Sequence, residues 1–137
     1  MYKFEEVVRN QALETIDIIA KIKEWATTVD ADEEQMECIS AILDAAASLE
    51  DQCGGLIQKL LSYHITRIRL FHKLVKRKLY DLAKTLALQD VGQVREITAA
   101  FEQLHSGMIA SYDQMVKNLE EYKKLDTVNV RSRDALY

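Results

Sequence analysis

The stretch LIQKLLSYHITRIRLFHKLVKRKLYDLAKTLAL, residues 56–88, decides the fold. Its apolar residues recur in alternating steps of four and three, which is the spacing of a coiled-coil row on one face of a helix. The members of this row are Leu61, Ile65, Ile68, His72, Val75, Leu79, Leu82 and Leu86. Because His72 is its only member that is not aliphatic, the pattern predicts one long helix with this row buried.

Three more segments on either side of this stretch share the helical periodicity. The chain has no proline and only four glycines, so few positions would break long helices. We therefore expect further helices over about 2–29, 33–53 and 91–125. Their apolar rows are Phe4, Val8, Ala12, Thr15, Ile19, Ile22, Ala26 and Val29 in the first, Met36, Ile39, Leu43, Ala46 and Leu49 in the second, and Val94, Ile97, Phe101, Leu104, Met108, Tyr112, Met115, Leu119 and Tyr122 in the last.

Glycine and aspartate residues mark the expected ends of these helices. Gly54-Gly55 is expected to stop the second helix, because glycine adopts the left-handed conformation of a C-terminal cap without strain. Asp90 is expected to cap the last helix, with Gln93 three residues later completing a capping box. An aspartate of the segment 30–32 is expected to cap the second helix.

Short connections between successive helices favour antiparallel neighbours, so we expect an all-α, antiparallel up-down four-helix bundle. Two of its helices, over about 56–88 and 91–125, are long and carry coiled-coil-like rows. We expect a single domain over 1–125 and a flexible tail over 126–137, where the periodicity stops. One end of the long helix pair is then expected to project beyond the shorter helices and to favour dimerisation.

The charges of the chain are unevenly distributed. Residues 30–53 contain eight acidic residues and no basic one, whereas residues 67–84 contain seven basic residues and one acidic one. If the chain reverses at Gly54-Gly55, these two blocks meet inside one molecule and select the antiparallel partner. Glu37 then lies opposite His72, and Glu33 and Glu34 lie opposite Lys76 and Arg77.

The outward-facing basic residues of this region offer a surface for a partner. Lysine and arginine at helical spacing can follow a phosphate backbone, and a tyrosine can stack on a base. The same surface can bind a protein partner with an acidic groove, or the acidic helix of a second copy. Its members are Arg69, Lys73, Lys76, Arg77, Tyr80 and Lys84.

Arg67 and His72 begin and end the sequence RIRLFH, in which four residues separate the arginine from the histidine. This pattern resembles the motif of HEPN-domain ribonucleases, which are small all-helical proteins that usually act as dimers. The resemblance implies metal-independent RNA cleavage, with Arg67 stabilising phosphate charge and His72 in acid/base chemistry. The alternative interpretation makes His72 a structural histidine in an apolar row.

Composition limits the remaining possibilities. The formal net charge is -4, so a general affinity for phosphate is not indicated. No apolar run is long enough to cross a membrane, and no signal peptide is apparent. Cys38 and Cys53 are too far apart on one expected helix for a disulfide, which suits a reduced protein.

We therefore expect a cytoplasmic, self-associating and non-enzymatic interaction protein, most simply a dimer, that binds another protein and needs no metal or cofactor. A ribonuclease and a nucleic-acid-binding protein are the alternatives.

Overall fold

The computed structural model describes residues 2–78 and 80–135, with side chains described for 3–78 and 80–127. Nearly all of this part is helical: α1 (Tyr2–Thr28), α2 (Glu33–Arg77) and α3 (Tyr80–Ala135). At the rise of an α-helix these elements are about 40, 67 and 84 Å long. No strand occurs in the described residues, so the expectation of an all-helical protein is confirmed.

The described residues form three helices, and the predicted four-helix bundle is therefore wrong in its helix count. Gly54-Gly55 lies in the middle of α2, and no glycine of the described chain has a positive φ. Each interior glycine costs a helix about 1 kcal/mol relative to alanine. The flanking Cys53 and Leu56 are buried in the core, and the burial of their apolar surface offsets that cost. The predicted helices over 33–53 and 56–88 are thus parts of one longer helix.

The chain reverses between α2 and α3 at Lys78. This residue has φ 51° and ψ 39°, the left-handed conformation of a helix C-cap, and its N–H donates to the Leu74 carbonyl at 2.8 Å. The predicted break at Gln89-Asp90 is wrong, because α3 begins at Tyr80 and continues through both residues. Asp90 therefore caps no helix, and its carboxylate binds side chains of α2.

A short segment, residues 29–32, joins α1 to α2. The Gln35 N–H donates to Oδ1 of Asp32 at 2.9 Å, and the Asp32 N–H donates to Oε1 of Gln35 at 3.2 Å. This reciprocal capping box confirms the cap that was expected in the segment 30–32. Because both connections are short, each helix runs antiparallel to the next.

The core lies along the middle of α2, where α1 and α3 both pack against it. Its buried apolar members are Val8, Ala12 and Ile19 of α1, Ala46, Leu49, Cys53, Leu56 and Leu60 of α2, and Ile97 and Leu104 of α3. In the three rows predicted over 2–29, 33–53 and 91–125, four residues are exposed, namely Phe4, Met36, Val94 and Tyr112. The predicted rows of α1 and α3 therefore identify the core-facing side correctly, although each row includes at least one residue that is exposed.

The second half of α2 buries a different row from the predicted one. Leu61, Ile65, Ile68, His72 and Val75 are exposed, Leu82 and Leu86 are half-buried, and Leu79 lies outside the described residues. The helix α3 packs against the neighbouring row, in which Leu60 and Tyr63 are buried and Arg67, Leu70 and Leu74 are half-buried. Both rows have helical spacing, and their members differ by one or two residues, which is about 140° around the helix. Periodicity therefore does not distinguish them.

The helix α1 covers only part of α2. Lys23 pairs with Glu50, and near the start of α1 Glu5 pairs with His64. Because α1 begins at Tyr2, only three residues before this contact, most of the segment 65–77 of α2 extends past α1. One end of the helix pair therefore projects, as expected.

The acidic and basic blocks lie at opposite ends of α2, because the helix does not reverse at its glycines. The predicted contacts within one molecule, Glu37 with His72 and residues 33–34 with 76–77, are therefore wrong. The backbone of α3 is helical through Ala135, and residues 136 and 137 lie outside the described part of the chain. A single domain over 1–125 with a flexible tail over 126–137 stays a prediction.

Candidate interaction surfaces

The projecting end of the α2–α3 hairpin, residues 65–77 and 80–90, carries the basic face expected from the sequence. Among the described side chains, no salt bridge involves a member of this face. All six members are exposed: Arg69, Lys73, Lys76, Arg77, Tyr80 and Lys84. The structure thus leaves the five basic side chains and Tyr80 accessible, and their role as a partner-binding surface stays a prediction.

Arg67 lies at the base of this projection and is bound to Asp90 of α3. Its Nε donates to Oδ1 at 3.0 Å and its Nη2 donates to Oδ2 at 3.2 Å, while the Tyr63 hydroxyl also donates to Oδ1. The hydrogen bond from Arg67 lowers the pKa of Asp90. Burial acts in the opposite direction and raises this pKa, whereas the hydrogen bond from Tyr63 lowers it further. Burial, followed by the interactions with Asp90, raises the pKa of Tyr63 to about 12. This cluster clamps α2 to α3 near the point where α1 begins.

Arg67 and His72 do not form a common site in the described chain. His72 is exposed, and five residues of helix turn it about 140° away from Arg67. The Arg67 guanidinium is already bound by the Asp90 carboxylate. A ribonuclease site of the expected kind would need a second chain, and that hypothesis has no supporting observation here.

An apolar groove of about 710 Å³ runs between α1 and α3. Two edge-to-face aromatic contacts join the two helices, Phe4 with Phe101 at 6.1 Å and Trp25 with Tyr122 at 6.0 Å between ring centroids. Between these contacts the groove is open, and Ile18 and Tyr112 are 57% and 69% exposed. The groove residues are Ile18, Lys21, Ile22, Trp25, Ile42, Tyr112, Met115, Val116, Leu119, Tyr122 and Lys123. Sequence reasoning placed several of them in buried rows and did not identify the groove.

A smaller pocket of about 510 Å³ lies where the start of α1 meets α2. Glu5 is buried there, and its Oε2 lies 2.7 Å from Nε2 of His64. The other carboxylate oxygen of Glu5 has no hydrogen-bond partner in the described structure. Glu5 was not singled out from the sequence, because a glutamate in the first turn of a helix is expected to lie in solvent.

Neither cysteine has the environment of a nucleophile. Burial raises the pKa of Cys38, and the nearby Glu121 and Glu37 carboxylates raise it further. Burial and the Glu50 carboxylate also raise the pKa of Cys53. Because only the thiolate is strongly nucleophilic, both side chains are suited to packing near neutral pH.

The described residues contain no group of three or more histidine, cysteine and acidic side chains that could hold a metal ion. In the same part of the chain, no helix combines the length and the apolar character that a membrane crossing needs.

A family model described as "Proteasome activator PA28, C-terminal" matches residues 1–129. Among solved structures, the chain is similar to the crystal structure of the 11S subunit of the Plasmodium falciparum proteasome, PA28, with a TM-score of 0.73 and 20% sequence identity. The alignment covers 88% of this chain and 54% of that one, so the chain spans about half the length of that subunit. The structural likeness concerns the fold alone. A search of curated proteins found no match.

Proposed function

The chain belongs to the proteasome activator PA28 family, matching its C-terminal part, and on this premise we propose that it is a non-enzymatic helical subunit that self-associates and binds a proteasome. The family match over residues 1–129 carries this proposal. The likeness to a subunit of the Plasmodium falciparum proteasome supports it at the level of the fold. A cytoplasmic location is part of the proposal.

The open groove between α1 and α3 is the surface that we assign to assembly. Its lining is almost wholly apolar, and exposed apolar area of this kind marks protein interaction sites. In the proposed assembly a helix of a neighbouring subunit lies in the groove, as a fourth helix beside α1, α2 and α3. The assembly is either the dimer expected from the sequence or a larger closed ring.

The direct test adds the purified protein to a purified proteasome and measures hydrolysis of a fluorogenic peptide. We expect stimulation that saturates with the concentration of the added protein. A protein that neither binds the proteasome nor changes peptide hydrolysis, at concentrations where it is folded and oligomeric, contradicts the proposal.

Substitutions in the groove connect assembly to this activity. Ile18→Glu and Tyr112→Glu place a charge in the groove at exposed positions, so the fold should persist while the mass measured by light scattering falls. Ala110→Glu adds the same charge at an exposed position of α3 outside the groove lining and should change neither the mass nor the stimulation. Equal effects of all three substitutions would contradict the role of the groove.

The basic face on the projecting end keeps its predicted role as a partner surface within this proposal. Its residues are exposed and have no salt-bridge partner among the described side chains. No specific observation favours a nucleic acid as the partner, and the total charge of -4 weighs against one.

A further inference from the structure

The side of α2 that contacts α1 continues beyond the start of α1. Ile57 lines the pocket at the start of α1 together with Glu5, and Nε2 of His64 lies 2.7 Å from the Glu5 carboxylate. Phe71 follows His64 by the same seven-residue step that separates His64 from Ile57, so all three lie within about 40° on one side of the helix. Phe71 is 51% exposed, and the described structure therefore leaves this side of α2 open on the projecting end.

Large apolar side chains occupy this open side. Ile68 and Val75 are 58% and 61% exposed, and Ile65 is 42% exposed. Around the helix axis all three lie within about 120° of Phe71. Single exposed apolar residues are ordinary, whereas a contiguous group of them marks an interaction site. We call this group the apolar strip, and its members are Ile65, Ile68, Phe71 and Val75.

A row of basic residues borders the apolar strip. Its members, Arg69, Lys73 and Lys76, are centred about 110° around the helix from the middle of the strip. All three are exposed, and none takes part in a salt bridge among the described side chains. No acidic residue occurs on α2 after Asp51. Because α2 supplies no charge that neutralises this row, a complementary surface is acidic.

An amphipathic helix is the occupant that matches both the strip and the basic row. The helix α1 already lies against the same side of α2 nearer the core, so a further helix in line with α1 meets a surface of suitable shape. Helices that bind in this way contribute apolar residues at steps of three and four, which is also the spacing of the strip. Acidic residues on one flank of such a helix then face the basic row.

A nucleic acid matches this surface less well. Phosphates pair with basic side chains, but unpaired bases are bound by stacking on aromatic side chains, and three of the four strip members are aliphatic. A phosphate backbone would leave these aliphatic side chains exposed to water. The formal net charge of -4 also opposes such a partner.

We propose that the projecting end of α2 binds a helical segment of a partner protein, which lies in line with α1. The apolar residues of this segment cover the apolar strip, and its acidic residues contact Arg69, Lys73 and Lys76. The surface is separate from the apolar groove between α1 and α3, so the inference does not depend on the proposed binding of a proteasome. It is compatible with a closed ring, because all subunits of such a ring point the same way and their projecting ends lie together.

A designed peptide tests the chemistry of the surface. The probe is a fluorescent helical peptide of about four heptads, with leucine in its apolar row, glutamate on one flank and alanine elsewhere. In fluorescence anisotropy we expect saturable binding, at least about tenfold tighter than that of the same peptide with lysine in place of glutamate. No binding of the glutamate peptide at about 1 mM protein, or equal binding of both peptides, would overturn the proposal. Tighter binding of a labelled single-stranded oligonucleotide would overturn it in favour of a nucleic acid.

Substitutions in the strip locate the binding site. Ile68→Ser and Val75→Ser change exposed positions, so the helix content measured by circular dichroism should persist while the glutamate peptide binds at least about tenfold more weakly. Ile109→Ser is the matched control, because Ile109 is 69% exposed on α3 outside the groove lining, and it should bind the peptide like the wild type. Equal affinities of all three variants would contradict the proposal. A fall in the oligomeric mass of Ile68→Ser would assign the strip to a second copy of the chain instead.

Charge reversal tests the basic row. The variant with Lys73→Glu and Lys76→Glu should prefer the lysine peptide over the glutamate peptide, which reverses the preference of the wild type. Added salt should weaken the binding of the glutamate peptide to the wild type, because the paired charges lie near the surface. A variant that keeps the preference for the glutamate peptide would show that the basic row does not select the partner, and the proposal would fail.

Discussion

The guanidinium of Arg67 on α2 donates to both carboxylate oxygens of Asp90 on α3, at 3.0 and 3.2 Å. The bidentate geometry fixes the relative position of the two helices at the base of the projecting end. Tyr63 donates to the same carboxylate from one turn earlier on α2. Both side chains of the ion pair are partly exposed, so its contribution to stability is modest and measurable.

Removal of this carboxylate should destabilise the hairpin. Asp90→Ala leaves the Arg67 guanidinium and the Tyr63 hydroxyl without their acceptor, and we expect the free energy of unfolding to fall by about 1–3 kcal/mol. A double-mutant cycle with Arg67→Met, followed by urea titration, isolates the coupling between the two residues. We expect a coupling energy of about 1 kcal/mol. If the stability losses of the two single variants add up to the loss of the double variant, the pair contributes nothing.

The same pair should make the protein sensitive to acid. Because the pKa of Asp90 is lower in the folded chain than in the unfolded chain, its stabilising contribution is fully present above the ordinary aspartate pKa of about 3.9. That contribution is lost as the pH falls through the folded-state pKa. The difference in unfolding free energy between the wild type and Asp90→Asn should therefore be constant from pH 5 to 7 and shrink below pH 4. A difference that grows at low pH would contradict this assignment.

Tyr63 should ionise well above the ordinary range of a tyrosine. Its pKa is raised to about 12, so its contribution to stability is present below the ordinary tyrosine pKa of about 10 and is lost as the pH rises towards 12. In a spectrophotometric titration at 295 nm, Tyr63→Phe should remove one tyrosine from the most alkaline part of the curve. Loss of a tyrosine that titrates near pH 10 would show that the Asp90 contact is absent in solution.

Gly55 and Gly107 should respond differently to alanine. A Cβ atom at Gly55 meets nothing within 4 Å, so Gly55→Ala should stabilise the monomer by about 0.5–1 kcal/mol through helix propensity. At Gly107 the added atom would overlap the end of the Gln52 side chain, which must move. We therefore expect Gly107→Ala to gain less stability than Gly55→Ala in thermal unfolding at low protein concentration, and the reverse order would contradict the packing described here.

His72 should be dispensable for folding. Because its side chain is exposed on α2, His72→Leu should change the unfolding free energy of the monomer by less than about 0.5 kcal/mol. Ile39→Ala, at a position that is 2% exposed, provides the buried comparison and should cost about 2–5 kcal/mol. A large loss of stability for His72→Leu would restore the interpretation of His72 as a core histidine.

The sequence predicted those features that depend on local interactions and on strong periodicity. The row Val8, Ala12 and Ile19 identifies the buried side of α1, and Asp32 forms the expected cap of α2. The basic face was predicted as an outward-facing surface because its residues share one side of a helical repeat, and all six are exposed. The groove between α1 and α3 was not predictable, because it arises from side chains on two helices whose relative position no local pattern specifies.

What the sequence alone determined is that this chain is helical, where its first helix lies, and how its charges are distributed. Only the tertiary structure decided that α2 continues through Gly54-Gly55 and which of its two rows is buried. The physical reason is one of magnitude: two glycines cost about 2 kcal/mol in a helix, which burial of one large apolar side chain nearly offsets. Both rows have helical spacing, so periodicity cannot decide between them, and the packing of Leu60 and Tyr63 against α3 determines which row is buried.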